Sequence, residues 1–160
     1  MIEAVGHRFL PTYFEQCAHL LKDDGLMLLQ AITIRDQRYE QACKSVDFIQ
    51  RYIFPGGALP SMHKMLDVIT RHTDFNLHHM EDFGLHYART LHLWSQGLER
   101  RLQKAAQWVP EKSLRIWRLY LAGCAYGFQH GWMNLHQILA VKPRDDGGHD
   151  LPWTRADLYA

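Results

Sequence analysis

Several features are scarce or missing in this sequence of 160 residues, and each absence narrows the possible functions. The three cysteines, Cys17, Cys43 and Cys124, lie far apart without a CxxC pair, which argues against a disulfide framework or a structural zinc site. No apolar run approaches the roughly 20 residues of a membrane-spanning helix, and residues 1–8 lack the basic start and long apolar stretch of a signal peptide. We therefore expect a cytoplasmic protein whose contact with a membrane is peripheral.

The sequence also lacks an excess of either positive or negative charge. The formal net charge is +1, with basic and acidic residues interspersed. This balance argues against a nucleic-acid partner, which requires a basic field. Eleven histidines are present, but His86 and His92 are six positions apart on one predicted helix and no HExxH motif occurs. Because ligands on a shared helical face are three or four positions apart, we predict no metal site.

Apolar periodicity predicts alternating helices and strands. Helices are predicted over residues 9–21, 36–54, 85–105 and 111–128, with a further helix capped by Ser61. Strands are predicted over residues 26–34, 75–81 and 135–141. The first strand is almost wholly apolar, which is typical of a strand buried on both faces of a parallel sheet. Three strands are few for such a sheet, so the pattern predicts the second half of a larger α/β fold, followed by a polar, disordered tail over 143–160.

An ordered series of segments resembles the cyclopropane-fatty-acyl-phospholipid synthase family. The series includes Met-Ile-Glu-Ala-Val-Gly at 1–6, Leu-Leu-Gln-Ala-Ile at 28–32, Tyr-Ile-Phe-Pro-Gly-Gly-Ala-Leu-Pro at 52–60 and Glu-Asp-Phe-Gly-Leu-His-Tyr-Ala-Arg-Thr-Leu at 81–91. The resemblance extends to Lys142. It implies the C-terminal half of a class I (Rossmann-like) methyltransferase, with three strands, about five helices and a helical insert over 36–70 that faces the acyl substrate.

The resemblance also implies a cofactor, S-adenosylmethionine, that the family holds in a Gly-rich loop near the start of its domain. No such loop is found here. Gly56 and Gly57 follow a predicted helix rather than a first strand, which is not the pattern of a cofactor-binding fingerprint. We therefore expect the cofactor-binding residues to lie upstream of Met1, in the same polypeptide or in a separate N-terminal half, and we expect this chain alone to be inactive.

The activity implied by the resemblance is transfer of a methyl group to the cis double bond of a phospholipid acyl chain at the inner face of the membrane, followed by ring closure. In the family, a bound bicarbonate ion acts as the base. By resemblance, Glu3, Gln30, Ile32 and Tyr87 hold this ion, with Ile32 contributing through its backbone. Gln30 stands where some members have histidine, and its amide cannot become charged.

Several of these residues also have ordinary structural interpretations. A terminal Glu3 is a typical solvated acid, and Gln30, inside an apolar strand, is predicted to need hydrogen-bond partners. An aromatic set is interpreted as a lining for the acyl chain or as core: Tyr39, Phe48, Tyr52 and Phe54. Basic residues of the same segment are interpreted as a solvated face rather than a headgroup site: Arg35, Arg38, Lys44 and Arg51.

Two alternatives to the cyclopropane synthase hypothesis stay open. The chain is alternatively a noncatalytic, lipid-binding protein or a fragment completed by a partner, in which an exposed sheet edge pairs with another chain. It is also compatible with a related methyltransferase that acts on a different substrate.

Overall fold

The computed structural model describes residues 1–156 and 159. Two short 3₁₀ helices, Ile2–Ala4 and His7–Phe9, precede the first α-helix. The remaining elements are α1 (Leu10–Leu20), β1 (Leu26–Ile34), α2 (Asp36–Lys44), α3 (Phe48–Tyr52), α4 (Met62–His72), β2 (Asn76–Asp82), α5 (Gly84–Arg100), α6 (Leu102–Ala105), α7 (Glu111–Gln129) and β3 (Met133–Val141). The predicted order of helices and strands is confirmed, and five of the helices in the described part have nine or more residues.

The three strands form one sheet in the order β1-β3-β2, and both pairings are antiparallel. Ile32 of β1 lies opposite Leu135 of β3, and a register shift interrupts β2 between Leu77 and His79. The prediction of parallel pairing is therefore wrong for these strands. The reason is that the last strand of the chain inserts between the first two, and an apolar run does not reveal the direction of its partner.

One face of the sheet is buried along its length against α1 and α4. Phe14, Met65 and Ile69 are completely buried there, and they pack with Leu29 and Ile138 of the sheet. These side chains form the main hydrophobic core. Burial of a large apolar side chain contributes about 1.5–3 kcal/mol, so this layer is the principal source of stability.

The other face of the sheet is covered at one end only. There, α5 packs along α7, and Leu91 and Phe128 lie with Leu135 in a second apolar cluster. At the other end, Leu26 and Leu28 are 52% and 64% exposed. Strand β1 is thus buried on one face rather than on both, which corrects the sequence interpretation.

The segment predicted as a single helix over 36–54 consists of two helices, α2 and α3, because the chain becomes extended at Ser45. Asp47 restarts the helix with a capping box: its carboxylate accepts from the Gln50 N–H, and the Gln50 side chain accepts from the Asp47 N–H. The predicted cap at Ser61 is confirmed by its bond from the Lys64 N–H. The domain limits 1–142 and the role of residues 36–70 as a substrate-facing insert stay predictions.

Residues beyond β3 contact the body of the protein. Arg144 forms ion pairs with Asp24 and Asp150, and the Asp150 N–H donates to Asp24. The disorder predicted for 143–160 is untested, and Asp157, Leu158 and Ala160 lie outside the described residues. No helix in the described part of the chain has the length and apolar character required to cross a bilayer.

Candidate active site

A cleft of about 1090 Å³ opens where β1 and β3 meet α3, α5 and α7. Its walls are mainly apolar and aromatic. All four residues that the family resemblance selected line this cleft: Glu3, Gln30, Ile32 and Tyr87. They come from three distant parts of the chain, so their assembly depends on the fold.

Glu3 is fixed against strand β1. Its Oε1 accepts a hydrogen bond of 2.9 Å from the Ile32 N–H, and its Oε2 lies 3.0 Å from the amino group of Met1. Burial raises the pKa of the Glu3 carboxyl, but the hydrogen bonds from Ile32, from its own backbone and from the amino terminus together lower it below its usual value. Glu3 therefore presents a negative charge to the cleft at neutral pH, and it is not the ordinary solvated acid of the structural interpretation.

Gln30 and Ile32 share one face of β1, because alternate residues of a strand point the same way. Gln30 lies where α5 and α7 no longer cover the sheet, so it is exposed rather than buried as the sequence suggested. Its Oε1 accepts a bond of 2.8 Å from the side chain of Gln137, the residue opposite it on β3. The predicted need for a polar partner is thus met by a cross-strand amide pair.

Tyr87 lies on the first half of α5 and is held by aromatic neighbours. Its ring packs edge to face against Phe128 at 4.9 Å and against Trp94 at 6.1 Å between centroids. Burial raises the pKa of the Tyr87 hydroxyl, as do the negative charges of Cys124 and Glu3 in their ionised forms. The hydroxyl therefore stays protonated and able to donate a hydrogen bond at neutral pH.

Sequence reasoning did not select two further cleft residues on α7, Tyr120 and Cys124. Burial, with smaller effects of Cys124 and Tyr87, raises the pKa of Tyr120 to about 12. Burial and the charge of Asp47 raise the pKa of Cys124 to about 11 against a lowering bond from Tyr120, so this thiol is not a reactive thiolate. Their spacing of four positions on a predicted helix was the signal that could have identified a shared face.

The four aromatic residues proposed to contact an acyl chain separate in the structure. Phe54 lines the cleft and lies edge to face with Tyr120 at 6.0 Å between centroids. The Tyr39 hydroxyl shares a hydrogen bond of 2.9 Å with His7 Nδ1, and His7 lines the cleft. Phe48 and Tyr52 face a second groove on the far side of α3. Only Phe54 of the set is therefore brought to the cleft wall.

Groups that would hold S-adenosylmethionine are few in the described part of the chain. The cleft has only two basic side chains there, His7 and Arg38. The turn at Gly56 and Gly57 is engaged internally, since the Gly57 N–H donates to Phe54 and the Gly57 carbonyl accepts from Gln50. These residues do not form a cofactor site by themselves. Across residues 1–156 and 159, no group of three histidine, cysteine, aspartate or glutamate side chains is placed to hold a metal ion.

Comparisons with known proteins identify relatives along almost the whole chain. The family model described as mycolic acid cyclopropane synthetase matches residues 1–138. A probable fatty acid methyltransferase from Pseudomonas putida is 49% identical over 160 residues, which cover 99% of this chain and 40% of the relative. Tuberculostearic acid methyltransferase UfaA1 from Mycobacterium tuberculosis is 38% identical over 143 residues, which cover 89% of this chain and 34% of the relative.

Solved structures give the same result for the fold. The cyclopropane synthase MmaA2 from Mycobacterium tuberculosis matches with a TM-score of 0.80 and 28% identity, covering 89% of this chain and 53% of that one. The mycolic acid cyclopropane synthase CmaA1, complexed with SAH and CTAB, matches with a TM-score of 0.80 and 30% identity, covering 88% and 52%. The chain thus spans about half of these structures and less of the two sequence relatives. It has part of a class I methyltransferase fold, as the sequence predicted, and it belongs to the mycolic acid cyclopropane synthetase family.

Proposed function

We propose that the protein completed by this chain transfers a methyl group from S-adenosylmethionine to the cis double bond of a phospholipid acyl chain and forms a cyclopropane fatty acid. This chain supplies the wall of the active site on the acyl side. We expect it to be inactive by itself, because methyl transfer requires both reactants in near-attack geometry and the cleft lining offers few groups to hold the cofactor.

The proposal rests chiefly on the position of Glu3, Gln30, Ile32 and Tyr87 around one apolar, aromatic cleft. The relatives support it, since those compared above are methyltransferases or cyclopropane synthases. An acyl chain requires a long apolar cavity, and the cleft volume of about 1090 Å³ is at the upper end of common ligand sites.

The residues of this chain have three tasks in the proposed reaction. Apolar walls exclude water from the alkene, which is a weak nucleophile. Faces of Phe54, Tyr87 and Tyr120 stabilise the positive charge that develops on the lipid when its double bond attacks the methyl group. The Glu3 carboxylate adds a fixed negative charge in the same cleft. When bound, the cofactor supplies the methyl group, and transfer of a proton from that methyl to a base closes the ring.

Bicarbonate as the base stays a prediction drawn from the resemblance. The Ile32 N–H already donates to Glu3, and Glu3 is ionised, so the free donors of the cluster are the Tyr87 hydroxyl and the side-chain amides. No step of the proposed reaction is therefore assigned to a bound anion. Activity measured with and without added bicarbonate in carbon dioxide-free buffer tests this point.

A chimera tests the proposed activity. This chain replaces the corresponding 160 residues of the Pseudomonas putida relative, and the chimera is expressed in a bacterium that lacks cyclopropane fatty acids. We expect acyl chains one CH₂ heavier than their unsaturated precursors. Gas chromatography with mass spectrometry measures the product, and the unaltered relative serves as the positive control.

Two variants of the chimera make the test specific to this cleft. Tyr87→Phe removes the hydroxyl and keeps the ring, and we expect product formation to fall at least tenfold if that hydroxyl positions the reacting groups. Tyr159→Phe is the matched control, because this side chain is 71% exposed and does not line the cleft. A folded chimera that makes no product while the unaltered relative does would contradict the proposal.

A methyl-branched product is the second candidate. It is favoured by the two sequence relatives, a probable fatty acid methyltransferase and a tuberculostearic acid methyltransferase. Ring and branch share the first methyl transfer. Loss of a proton from the added methyl either closes the ring or leaves a methylene branch, and the methylene becomes a methyl branch only after reduction by a separate hydride donor. Proton NMR of the extracted esters separates cyclopropane protons from those of a branched chain.

A further inference from the structure

A second groove, of about 620 Å³, runs along the outside of the protein between α3 and the first half of α7. Its apolar lining comes from Phe48 and Tyr52 of α3 and from Ile116 and Leu119 of α7. Its charged lining comes from Lys112, Arg115 and Glu111. Apolar and cationic side chains therefore share one open surface.

The groove and the cleft lie on different sides of α3. Ile49 of that helix and Ile53, which follows it, line the cleft, whereas Phe48 and Tyr52 line the groove. On α7, the cleft residue Tyr120 follows Ile116 by four positions, about one helical turn or 5.4 Å. The cleft and the groove are therefore lined by neighbouring residues of the same two helices, α3 and α7.

The lining of the groove carries a small excess of positive charge. Lys112 and Arg115 are exposed, and neither takes part in an ion pair in the described part of the chain. The guanidinium of Arg51 lies 5.5 Å above the Tyr52 ring at the edge of the groove. Glu111 is the only acid among the lining residues. The groove therefore complements an anionic surface.

Next to the groove residues in the sequence are large exposed apolar groups, which we call the rim. Trp108 and Val109, which precede Pro110 and α7, are 79% and 41% exposed, and the groove residue Leu119 is 61% exposed. Tryptophan beside lysine and arginine is characteristic of surfaces that lie in the headgroup region of a bilayer. Binding of a soluble apolar ligand would account for the exposed apolar side chains of the rim but not for the unpaired Lys112 and Arg115.

We propose that this groove and its rim dock the protein on an anionic phospholipid bilayer, with lipid phosphates against Lys112 and Arg115 and with Trp108 inserted among the headgroups. The inference extends the proposed function, because the docked bilayer delivers the acyl chain to the neighbouring cleft. Its test does not depend on methyl transfer.

Vesicle co-sedimentation with the 160-residue chain provides the test. We expect binding to vesicles of phosphatidylglycerol and phosphatidylethanolamine, weak binding to phosphatidylcholine alone, and loss of binding as salt is raised. Lys112→Glu with Arg115→Glu is expected to weaken binding to the anionic vesicles about tenfold or more, since each basic residue near such a surface contributes about a fivefold factor. Circular dichroism verifies that the variant is folded, and the milder pair Lys112→Gln with Arg115→Gln is expected to show a smaller loss in the same direction.

A matched charge reversal is the control. The control variant is Arg8→Glu with Lys22→Glu, which changes the net charge by the same amount. Both residues are exposed and lie outside both cavities. We expect this control to bind within twofold of the unaltered chain. Equal losses of vesicle binding in both double variants would overturn the proposal in favour of a nonspecific charge effect.

No binding to anionic vesicles, or binding only to an acidic acyl carrier protein, would overturn the proposal as well. A failure of this kind leaves the proposed reaction open to the chimera assay, which can be repeated in cell extract with detergent-dispersed lipid.

Discussion

Glu3 links the start of the chain to the middle of strand β1 through one hydrogen bond to the Ile32 N–H. Strand β1 is at the edge of the sheet in the described part of the chain, and Glu3 supplies the acceptor for this N–H. A half-buried backbone donor without a partner is costly. The residue is thus both a structural anchor of the cleft and its fixed negative charge.

Replacement of Glu3 separates these two roles. We expect Glu3→Ala to lower the free energy of unfolding by about 1 kcal/mol or more, because the Ile32 N–H loses its acceptor. We expect Glu3→Gln to cost less, because the amide oxygen can still accept this bond. Urea denaturation at pH 7 measures both losses, and equal losses in the two variants would contradict the anchoring role.

His136 gives a second prediction at the residue scale. Its ring shares a hydrogen bond of 2.9 Å with the buried Thr33 hydroxyl, and its pKa is lowered by burial, against a smaller raising effect of Asp82. The unfolded chain therefore binds this proton more readily than the folded one. Stability from this group is complete above pH about 6.5 and is lost as the pH falls through the lowered value.

Denaturation at pH 7.5 and 5.5 measures this dependence. His136→Gln is expected to reduce the loss of stability between the two pH values, whereas His63→Gln, at an exposed position, leaves that loss unchanged. The same loss in all three proteins would exclude His136 as its source.

At the scale of elements, two helical glycines weaken the pair formed by α5 and α7. A Cβ built at Gly123 meets no atom within 4 Å, and at Gly97 the nearest is the flexible end of Arg101 at 3.8 Å. Both glycines lie inside helices with ordinary negative φ. Each site therefore has space for a methyl group.

We expect Gly97→Ala and Gly123→Ala each to raise the free energy of unfolding by about 0.5–1 kcal/mol, because alanine loses less backbone entropy in a helix. Gly131 is the opposing case. Its φ is +63°, and we expect Gly131→Ala to be destabilising. Thermal unfolding of the three variants tests the contrast, and a rise in melting temperature for Gly131→Ala would contradict it.

Much of the element order was predictable because the helices α1, α4, α5 and α7 bury one face and the strands β1 and β3 are short and largely apolar. The antiparallel direction of the strands was not predictable, because the partner of β1 is β3, which lies far along the chain. The exposure of Gln30 depends on how far α5 and α7 extend across the sheet, which periodicity does not encode. The cleft residues Glu3, Gln30, Ile32 and Tyr87 were found by resemblance alone, whereas helical spacing could have revealed Tyr120 beside Cys124.

At the scale of the whole molecule, the chain has an uncovered sheet end and spans 34% to 40% of its two sequence relatives. Leu26 and Leu28 present an apolar strip beside the exposed Gln30. Exposed apolar surface of this kind is usual where a further part of a protein packs. The same geometry leaves the cofactor without a complete site in the described residues.

Calorimetry on the isolated chain tests this geometry. We expect no S-adenosylmethionine binding with a Kd below about 10 µM, because a few side chains on one wall do not supply the required −7 kcal/mol or so. The chimera of the activity assay is the positive control, and it is expected to bind the cofactor. Tight binding by the isolated chain would show that its residues hold the cofactor, and it would contradict the proposal that this chain supplies only the acyl side of the active site.

Strand β3 lies between β1 and β2 in the sheet although it follows both of them along the chain. Gln30 and Gln137, which pair across the sheet, are 107 positions apart. During translation, therefore, β1 and β2 emerge before the strand that lies between them, and this three-stranded sheet cannot close until β3 follows. Such non-local closure slows folding and leaves two strand edges open to aggregation in the nascent chain. Sheet formation is consequently expected as a single late event, and a nascent chain arrested before Met133 is expected to be sensitive to protease over β1.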